Sequence, residues 1–426
     1  MLKAILIDCI PPQLSKEDAE YRLVEAESLI NTYGGIVVIK KIQKRQTPDY
    51  KTFVGGGKLE EIIEESKTTD ANIIIINNEL KPHQTYNINE RLRKFSEEER
   101  KKSTDPKGKG KIPYSQKPEL QAWDRIDLIL KIFQKHASTR EAKLEIELAS
   151  IKHMGPRIFG MGMQLSRQGG GIGTRGSGET NIEVMKRHLH KMEDSITKEL
   201  NACKKVRKLH RSDRKRRDFK TVGIIGYTNA GKSTLLNALT KKGAYVANKL
   251  FATLDTRVGK MYIDGKEEIL ISDTIGFIQD LPTTLIQSFQ STLEESTKAD
   301  VLLHVIDLSD PRFLQKIEVV NEILFQIDAL MKPTIYVFNK IDALSQLDRK
   351  LFEDSDEITP GSNYLNRRQI TEQFKTFHPC FVSAANKEGL KQLKEAIRDA
   401  LFPETIATKA TAVLDVIKQL KSITRK

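Results

Sequence analysis

Residues 226–233 read Gly226-Tyr227-Thr228-Asn229-Ala230-Gly231-Lys232-Ser233, a glycine-rich segment that ends in a lysine and a hydroxyl residue. An apolar run that predicts a strand comes directly before it (221–225), and a run that predicts a helix comes directly after it (234–239). Glycines at such a junction let backbone N–H groups point inward around phosphates, and the helix N-terminus adds partial positive charge. The segment therefore predicts a phosphate-binding loop, in which Lys232 reaches the β- and γ-phosphates and Ser233 is a ligand of Mg²⁺.

Two further segments predict the groups around the metal and the γ-phosphate. A predicted strand (269–272) leads into Asp273-Thr274-Ile275-Gly276, where Asp273 can hold magnesium through water and the Gly276 N–H can contact the γ-phosphate. Between the loop and this strand lies Phe251-Ala252-Thr253-Leu254-Asp255. Thr253 is the candidate hydroxyl that closes on Mg²⁺ and the γ-phosphate, and its alternative role is that of an ordinary loop threonine.

The last two segments predict which base is bound. A predicted strand (335–338) leads into Asn339-Lys340-Ile341-Asp342, and a second one (380–382) leads into Ser383-Ala384-Ala385. The Asp342 carboxylate can accept hydrogen bonds from N1–H and N2–H₂ of guanine, whereas adenine would leave this acceptor unpaired. The backbone of residues 383–385 can meet the guanine O6. Five elements in this order predict a GTP-binding P-loop domain, an α/β fold with a doubly wound, mostly parallel sheet.

The residue that follows Gly276 bears on hydrolysis. The position is often a glutamine that orients the attacking water, and here it is Phe277, whose ring cannot hydrogen-bond to water. We expect slow intrinsic turnover, with water positioned by the backbone, a bound cation or a partner in trans. The catalytic residues stay unassigned, and the candidates are Lys232, Thr253 and Gly276. The side-chain carbonyl of Asn229 could coordinate a monovalent cation near the phosphates, or it could only brace the loop.

The positive charge of the chain is concentrated in one stretch. Lys and Arg number 70 against 57 Asp and Glu, which gives a net charge of +13, and residues 186–220 hold fourteen of the basic residues and five of the acidic ones. Such a density attracts polyanions, most often nucleic acid and less often an acidic membrane. A solvated helix face is the alternative interpretation.

Cysteine spacing and hydropathy exclude several classes of protein. The three cysteines (Cys9, Cys203 and Cys380) are widely spaced and form no CxxC motif. This pattern excludes a disulfide framework or a cysteine-built zinc site and indicates a reducing compartment. No apolar run approaches the roughly 18–20 residues that a membrane span needs. We therefore expect a cytoplasmic protein without a membrane span.

Composition and periodicity divide the chain into five parts. They are a small α/β domain (1–95), a flexible basic insertion (96–118), a long antiparallel helical hairpin (119–218) with a Gly/Arg-rich tip loop (155–180), the G domain (219–404) and a short basic tail (405–426). In the first domain, Ser15 with Asp18 predicts a helix start and Gly34 predicts its end. The hairpin is predicted from apolar residues that recur at steps of three and four: Leu144, Leu148, Ile151, Met185, Leu189, Met192, Ile196, Leu200, Cys203 and Val206.

The tip of the hairpin is a candidate RNA contact. Residues 155–178 contain nine glycines together with Arg157, Arg167 and Arg175. Glycines let a backbone approach a polyanion closely, and arginines supply phosphate and base contacts. The alternative is a disordered tip that binds nothing.

Two glycine motifs resemble nucleotide loops without their structural context. The GxGxxG pattern at residues 171–176 has no preceding strand, which argues against a dinucleotide site. Gly55-Gly56-Gly57-Lys58 is followed by Leu59 rather than by a hydroxyl residue. A turn is the favoured role for these glycines, and a weak anion site is the alternative.

The sequence resembles the HflX-type GTPases, which belong with the Obg-like translation GTPases. Segments that match this family lie along nearly the whole chain: 54–62, 124–133, 140–144, 165–180, 250–255 and 273–278. The Gly/Arg segment 165–180 and the Phe-Ala-Thr-Leu-Asp segment 251–255 are highly specific to the family. The insertion (96–118), a second inserted segment (354–365) and the short tail depart from it.

The resemblance implies a GTP hydrolase that binds the large ribosomal subunit and its rRNA and splits stalled or idle ribosomes. We expect GTP and GDP as ligands, Mg²⁺ as cofactor and a monomeric protein that the ribosome stimulates. Some translation-related GTPases with an asparagine at the position of Asn229 use K⁺, so the resemblance also favours a potassium site. The alternative is an rRNA-binding assembly factor in which GTP only times release.

Overall fold

The computed structural model of the chain describes residues 2–103, 120–168, 181–216, 219–240, 257–263, 267–273, 276–278, 298–344 and 366–403, with residues 285, 289, 293 and 352. The chain divides into two compact units. One contains residues 1–203 and 282–288, and the other contains residues 204–281 and 289–426.

The first unit is built on a four-stranded parallel sheet with the strand order β2-β1-β3-β4. Its strands are β1 (Leu2–Ile10), β2 (Gly35–Lys44), β3 (Ile73–Ile76) and β4 (Gln121–Asp124). Parallel neighbours need crossover connections. Three helices lie in these connections: α1 (Lys16–Tyr33), α2 (Gly56–Thr69) and α3 (Pro82–Ser103). The fourth helix, α4 (Arg125–His136), follows the last strand. The apolar strands β1 and β3 are buried at the centre of this sheet.

Local hydrogen bonds explain where α1 begins and ends. The Ser15 side chain accepts from the Asp18 N–H at 2.9 Å, which satisfies one of the free donors of the first turn. Gly34 adopts a left-handed conformation (φ 103°), and its N–H donates to the carbonyls of Ile30 and Asn31. Both ends of this helix are as predicted, because capping depends on residues that are neighbours in sequence.

Gly55 is the residue before α2, and Gly56 and Gly57 are the first two residues of that helix. The Gly55 N–H donates to Oε1 of Gln43 at 2.9 Å. A Cβ on Gly55 would lie 2.6 Å from Nη1 of Arg45, so a larger residue would displace the arginine. This packing fits a turn role for Gly55, whereas Gly56 and Gly57, predicted to be in the turn, lie in the first turn of the helix.

The boundaries predicted around residues 96–118 are wrong at both sides. Helix α3 continues to Ser103, past the predicted end of the first domain at residue 95. Beyond the part of the segment that lies outside the described residues, β4 adds a fourth strand, with Gln121 opposite Ile73. The α/β domain therefore resumes after residue 119. A four-residue strand carries too little periodicity to be recognised, and its pairing with β3 is a contact distant in sequence.

Two long helices follow. Helix α5 (Arg140–Gln168) and helix α6 (Asn181–Arg216) pack through a small apolar cluster of Leu144, Leu148, Ile196 and Leu200, with Ile151 beside it. Arg140 bonds to Glu199 at 2.6 Å, as expected for an antiparallel pair. Met185 and Val206 are 40% and 52% exposed, so this apolar seam is shorter than the spacing predicted.

The predicted tip loop does not begin at Gly155. The backbone of α5 is helical through residue 168, and residues 169–180 lie outside the described part of the chain. A glycine inside a helix costs only about 1 kcal/mol relative to alanine, so a helix already formed from Arg140 can continue through several of them. Glycine content alone therefore predicted the wrong boundary.

The second unit contains a six-stranded sheet with the order β10-β9-β8-β5-β7-β6. Its strands are β5 (Lys220–Gly226), β6 (Arg257–Ile263), β7 (Glu267–Asp273), β8 (Val301–Asp307), β9 (Thr334–Asn339) and β10 (Cys380–Phe381). The described helices are α7 (Lys232–Leu239), α8 (Phe313–Gln326), α9 (Arg367–Gln373) and α10 (Leu390–Leu401). All pairings are parallel except that of β6 with β7.

Helices cover both faces of this sheet. On β9, Ile335 and Val337 belong to the core cluster that includes residues of α7 and α10, whereas Tyr336 and Phe338 belong to the cluster that includes residues of α8 and α9. The predicted doubly wound, mostly parallel fold is confirmed. Strand β5 lies between β7 and β8, so the chain order reverses beside it. In such sheets the crevice at the carboxyl end of the reversal point is the usual place for a ligand.

The second unit contains a buried histidine whose pKa is far from its ordinary value. His304, on β8, is 1% exposed, and its ring meets Tyr336 edge-on with the centroids 4.9 Å apart. Within the described residues its Nδ1 has no hydrogen-bond partner. Burial, with a smaller contribution from the charge of Lys232, lowers the pKa of His304 from 6.5 to about 3. The folded state therefore keeps this ring neutral at pH values at which the unfolded chain protonates it.

We expect the free energy of unfolding to fall as the pH falls below 6.5, the unfolded-state pKa of His304, and to keep falling towards the folded-state pKa of about 3. Between pH 6.5 and pH 5 the loss amounts to about 2 kcal/mol. His304→Phe, which retains an aromatic ring beside Tyr336, should flatten this dependence in urea titrations of the protein. The exposed His188→Gln should leave it unchanged. An equal acid sensitivity in His304→Phe would contradict the explanation.

Candidate nucleotide-binding site

The predicted phosphate loop joins β5 to α7 at the carboxyl edge of the sheet. Gly226 and Gly231 have positive φ values of 145° and 92°. A Cβ on Gly226 would lie 2.3 Å from the Val305 carbonyl oxygen, and one on Gly231 would lie 2.3 Å from Nδ2 of Asn339. Glycine is required at both positions for backbone conformation and for space. The loop is thus closely packed against β8 and the end of β9.

Lys232 lies inside this loop. It is 7% exposed, and its Nζ donates to the carbonyl oxygens of Gly226 at 3.1 Å and Tyr227 at 2.8 Å. Burial lowers the pKa of Lys232 to about 8, Asp273 opposes this shift, and Lys340 adds to it. The loop therefore contains a largely desolvated cation held by its own backbone carbonyls, which suits the oxygens of a phosphate chain.

A hydroxyl and a carboxylate meet at the first turn of α7. The Ser233 hydroxyl donates to Oδ2 of Asp273 at 2.6 Å, and Asp273, the last residue of β7, is 0% exposed. Ser233 begins the helix that follows β5, and Asp273 ends β7. Because β5 and β7 are parallel neighbours, the two residues meet although they are 40 positions apart in sequence. Hard oxygen donors of this kind are what Mg²⁺ prefers, so the pair has the chemistry of a magnesium site.

The segment after β7 is fastened to the phosphate loop by its backbone. The Phe277 N–H donates to the Gly226 carbonyl at 3.2 Å, and the Thr228 N–H donates to the Phe277 carbonyl at 2.7 Å. A Cβ on Gly276 would lie 2.8 Å from Cγ2 of Thr228 and 2.9 Å from Nζ of Lys232. Only glycine fits at residue 276, and its backbone is held next to the lysine.

The ring of Phe277 is 0% exposed. The sequence predicted that this side chain has no chemistry to offer water, and the structure adds that it is also buried. The backbone bridge of Phe277 to the loop could not be read from the sequence, because it depends on how β7 is placed beside β5.

A buried amide connects three segments of the site. Nδ2 of Asn339 donates to the Ala230 carbonyl at 2.9 Å, and its Oδ1 accepts from the Ala384 N–H at 3.0 Å. Asn339 is 2% exposed, whereas Asp342 is exposed at the same edge of the sheet. The structure therefore joins Asn339 and Ala384, one residue from each segment predicted to bind the base, to the phosphate loop.

The segment 383–385 is itself held by a tight turn. The Ser383 hydroxyl accepts from the Asn386 N–H at 3.0 Å, and the Ile341 N–H donates to the Val382 carbonyl at 3.4 Å. Ser383 is fully buried. Backbone groups of this turn, rather than the serine hydroxyl, are therefore the groups available at the edge of the site.

Some of the predicted site residues lie outside the described part of the chain, and others are described only in part. Phe251, Ala252, Thr253, Leu254, Asp255, Thr274, Ile275 and Arg175 lie outside the described residues. Arg157 and Arg167 are on the backbone of α5. Asn229 is exposed in the loop with a left-handed φ of 62°, a conformation that asparagine tolerates well.

These features define the class of protein. The phosphate loop joins a strand to a helix and contains a buried lysine and a serine paired with an aspartate. The Asn-Lys-Ile-Asp segment is bonded to that loop, and this combination is typical of a P-loop GTPase, which binds guanine nucleotides. Family comparisons agree along the chain: residues 20–95 match the family described as GTP-binding GTPase N-terminal, 136–214 match GTP-binding GTPase Middle Region, and 221–340 match 50S ribosome-binding GTPase.

Curated relatives identify the family. The chain is 40% identical to GTPase HflX of Caldanaerobacter subterraneus subsp. tengcongensis over 95% of this chain and 81% of the relative. It is 36% identical to GTPase HflX of Escherichia coli over 90% of this chain and 79% of that one. The chain belongs to the HflX family of GTPases.

The fold is also similar to that of a solved GTP-binding protein. The crystal structure of SsGBP with GDP covers 95% of this chain and 99% of its own, with 25% identity and a TM-score of 0.49. Among the helices in the described ranges, none combines the length and the apolar character that a bilayer crossing requires.

The Asn339 amide gives a direct test of how the site is assembled. Asn339→Ala would leave the Ala230 carbonyl and the Ala384 N–H buried without this partner, at a cost of about 2–5 kcal/mol. We expect a loss of at least roughly tenfold in GDP affinity together with lower stability. Fluorescence titration of GDP and thermal unfolding measure the two effects.

Asn321→Ala is the matched control for this variant, because it removes an amide that contacts the Tyr336 hydroxyl in the same unit. The control should lose some stability and keep its GDP affinity. Equal GDP affinity in Asn339→Ala and the unmodified protein would remove the amide from the architecture of the site.

Proposed function

We propose that this GTPase binds the large ribosomal subunit and couples GTP binding and hydrolysis to the splitting of stalled or idle ribosomes. The observation that carries the proposal is the match of residues 221–340 to a family described as 50S ribosome-binding GTPase. In this proposal the protein acts as a monomer in the cytoplasm, where ribosomes are found. GTP favours the bound form, and GDP favours release.

The charge of α6 supports an RNA partner. Among the residues of α6 whose side chains the structure describes, eight Lys and Arg are exposed to solvent: Lys186, Arg187, Lys191, Lys198, Lys204, Lys205, Lys208 and Arg216. Cations on an exposed helix can neutralise phosphates and release counterions, which strengthens binding to RNA at low salt. We extend the proposal to Arg157, Arg167 and Arg175, on and beyond the end of α5, as additional rRNA contacts.

We assign the proposed site residues by their chemistry. Lys232 binds the β- and γ-phosphates, and the Gly276 N–H meets the γ-phosphate. Ser233 and Thr253, with Asp273 through water, would hold Mg²⁺, an assignment supported by the 2.6 Å contact of the Ser233 hydroxyl with Asp273. When bound, magnesium neutralises charge on the phosphate oxygens.

Hydrolysis in the isolated protein is proposed to be slow. The buried ring of Phe277 supports this, since no side chain at that position can orient water. Water positioning must then come from the backbone, from a monovalent cation held near Asn229, or from the ribosome. The ribosome is the activator that fits the proposed function best.

Sedimentation of purified ribosomes through sucrose gradients tests the proposal. With GTP or a non-hydrolysable analogue, the protein should co-sediment with the large subunit, and the peak of intact ribosomes should shrink. GDP should give neither effect, and neither should Lys232→Ala, the control that lacks the phosphate contact. Binding to subunits without any loss of intact ribosomes would favour an assembly factor, and absence of co-sedimentation would refute a ribosomal partner.

Base selectivity is expected to depend on Asp342. Asp342→Asn should weaken GTP binding by about 1.5–3 kcal/mol, because a charge-assisted pair of hydrogen bonds is lost. Xanthosine triphosphate should bind the variant better than the unmodified protein, since its C2 carbonyl suits an amide donor. Competition titrations with both nucleotides measure the exchange, and Asp328→Asn controls for the lost charge. Unchanged GTP affinity would exclude Asp342 from the base site.

The cation near Asn229 can be tested separately. We expect K⁺ to stimulate phosphate release more than Na⁺ at equal ionic strength, because a cation between the phosphates stabilises the charge that develops there. Asn229→Ala should abolish the difference between the two salts. Equal rates in KCl and NaCl for the unmodified protein would leave the asparagine as a brace of the loop.

A further inference from the structure

Lys340, between the two polar residues of the Asn-Lys-Ile-Asp segment, has an unusual conformation and a specific partner. Its backbone is left-handed (φ 65°, ψ 35°), a region that a lysine rarely adopts. Its Nζ donates to Oδ2 of Asp307 at 2.7 Å. Asp307 is the last residue of β8 and lies directly opposite Asn339 on β9. The pair therefore connects the carboxyl ends of two adjacent strands.

The Asp307 carboxylate is held rigidly on its other side. Its Oδ1 accepts from the N–H of Ser309 at 3.1 Å and from the Ser309 hydroxyl at 2.6 Å. The Leu308 N–H in turn donates to the Asn339 carbonyl at 3.0 Å. Both carboxylate oxygens thus have fixed partners, and the position of the lysine ammonium follows from them.

This arrangement determines where the methylene chain of Lys340 lies. The side chains of Lys340 and Asp307 are 27% and 17% exposed, so the ion pair is half-buried rather than free in solvent. With its backbone at the end of β9 and its ammonium at the end of β8, the lysine must span the gap between the strands. Its stem is then held along the edge of the sheet, two residues before Asp342 in sequence, while the charge stays bonded.

We propose that Asp307 is a positioning residue for guanine: it stretches Lys340 across the strand ends so that the lysine stem supports one face of the base. The proposal rests on the proposed guanine site at Asp342. Asp307 touches no nucleotide atom in this arrangement and acts only through the lysine. Since the base is the same in GTP and GDP, the contact strengthens both complexes equally and leaves the chemical step alone.

Nucleotide dissociation measured in a double-mutant cycle tests this role. Asp307→Ala should raise the Kd for a fluorescent GDP analogue by roughly tenfold, the scale of one charge-assisted contact, and should do the same for a GTP analogue. Lys340→Ala should have an effect at least as large. In the Lys340→Ala background, Asp307→Ala should add almost nothing, because the residue it positions has gone.

Further measurements separate positioning from a general loss of structure. Asp307→Ala should raise the KM for GTP and leave kcat unchanged. Asp307→Asn, which keeps an acceptor for the lysine and for Ser309, should recover part of the affinity. Asp328→Asn, an exposed aspartate in the same unit, should behave like the unmodified protein. If Asp307→Ala fails to fold, the Asn variant and its cycle with Lys340→Ala carry the test.

The outcomes distinguish this proposal from the one on which it rests. Additive losses in the cycle, or an unchanged Kd in Asp307→Ala while Asp342→Asn loses affinity, would overturn the positioning role and leave the guanine site in place. If Asp342→Asn also keeps its full affinity, the guanine site itself is wrong, and the positioning role falls with it.

Discussion

The site of this GTPase depends on the side-chain amide of Asn339. Its two polar ends bond to the Ala230 carbonyl of the phosphate loop and to the Ala384 N–H of the turn after β10. Its nitrogen also occupies the space that a Cβ on Gly231 would need. Because the amide is buried, each of these bonds is costly to break, and three segments far apart in sequence are kept in one geometry.

Several other polar groups in the described part of the site are bonded to one another. Lys232 donates to carbonyls of its own loop, Ser233 donates to Asp273, and the Phe277 backbone pairs with the loop. In the proposed site, nucleotide binding therefore exchanges these internal hydrogen bonds for bonds to phosphate. Such an exchange has a modest net free energy, which suits a protein that must both bind and release its nucleotide.

Patterns among residues that are close in sequence predict the ends of helices and strands correctly. Residue composition predicts the boundaries of loops less well. The cap at Ser15, the strand before Gly226 and the helix after Ser233 depend on neighbours within a few residues, and all are found. The tip loop was predicted to start at Gly155 from its glycine content, but the helix continues through that residue. Strand β4 was missed because its only support is pairing with a distant strand.

The sequence by itself determined the class of this protein, because a phosphate loop and a base-recognition segment are made by contiguous residues whose types dictate their chemistry. Only the tertiary structure decided which distant groups act together. The burial of the Phe277 ring and the bond between Asp307 and Lys340 arise where separate strands end side by side. No local pattern encodes that proximity, since it results from the packing of the whole sheet.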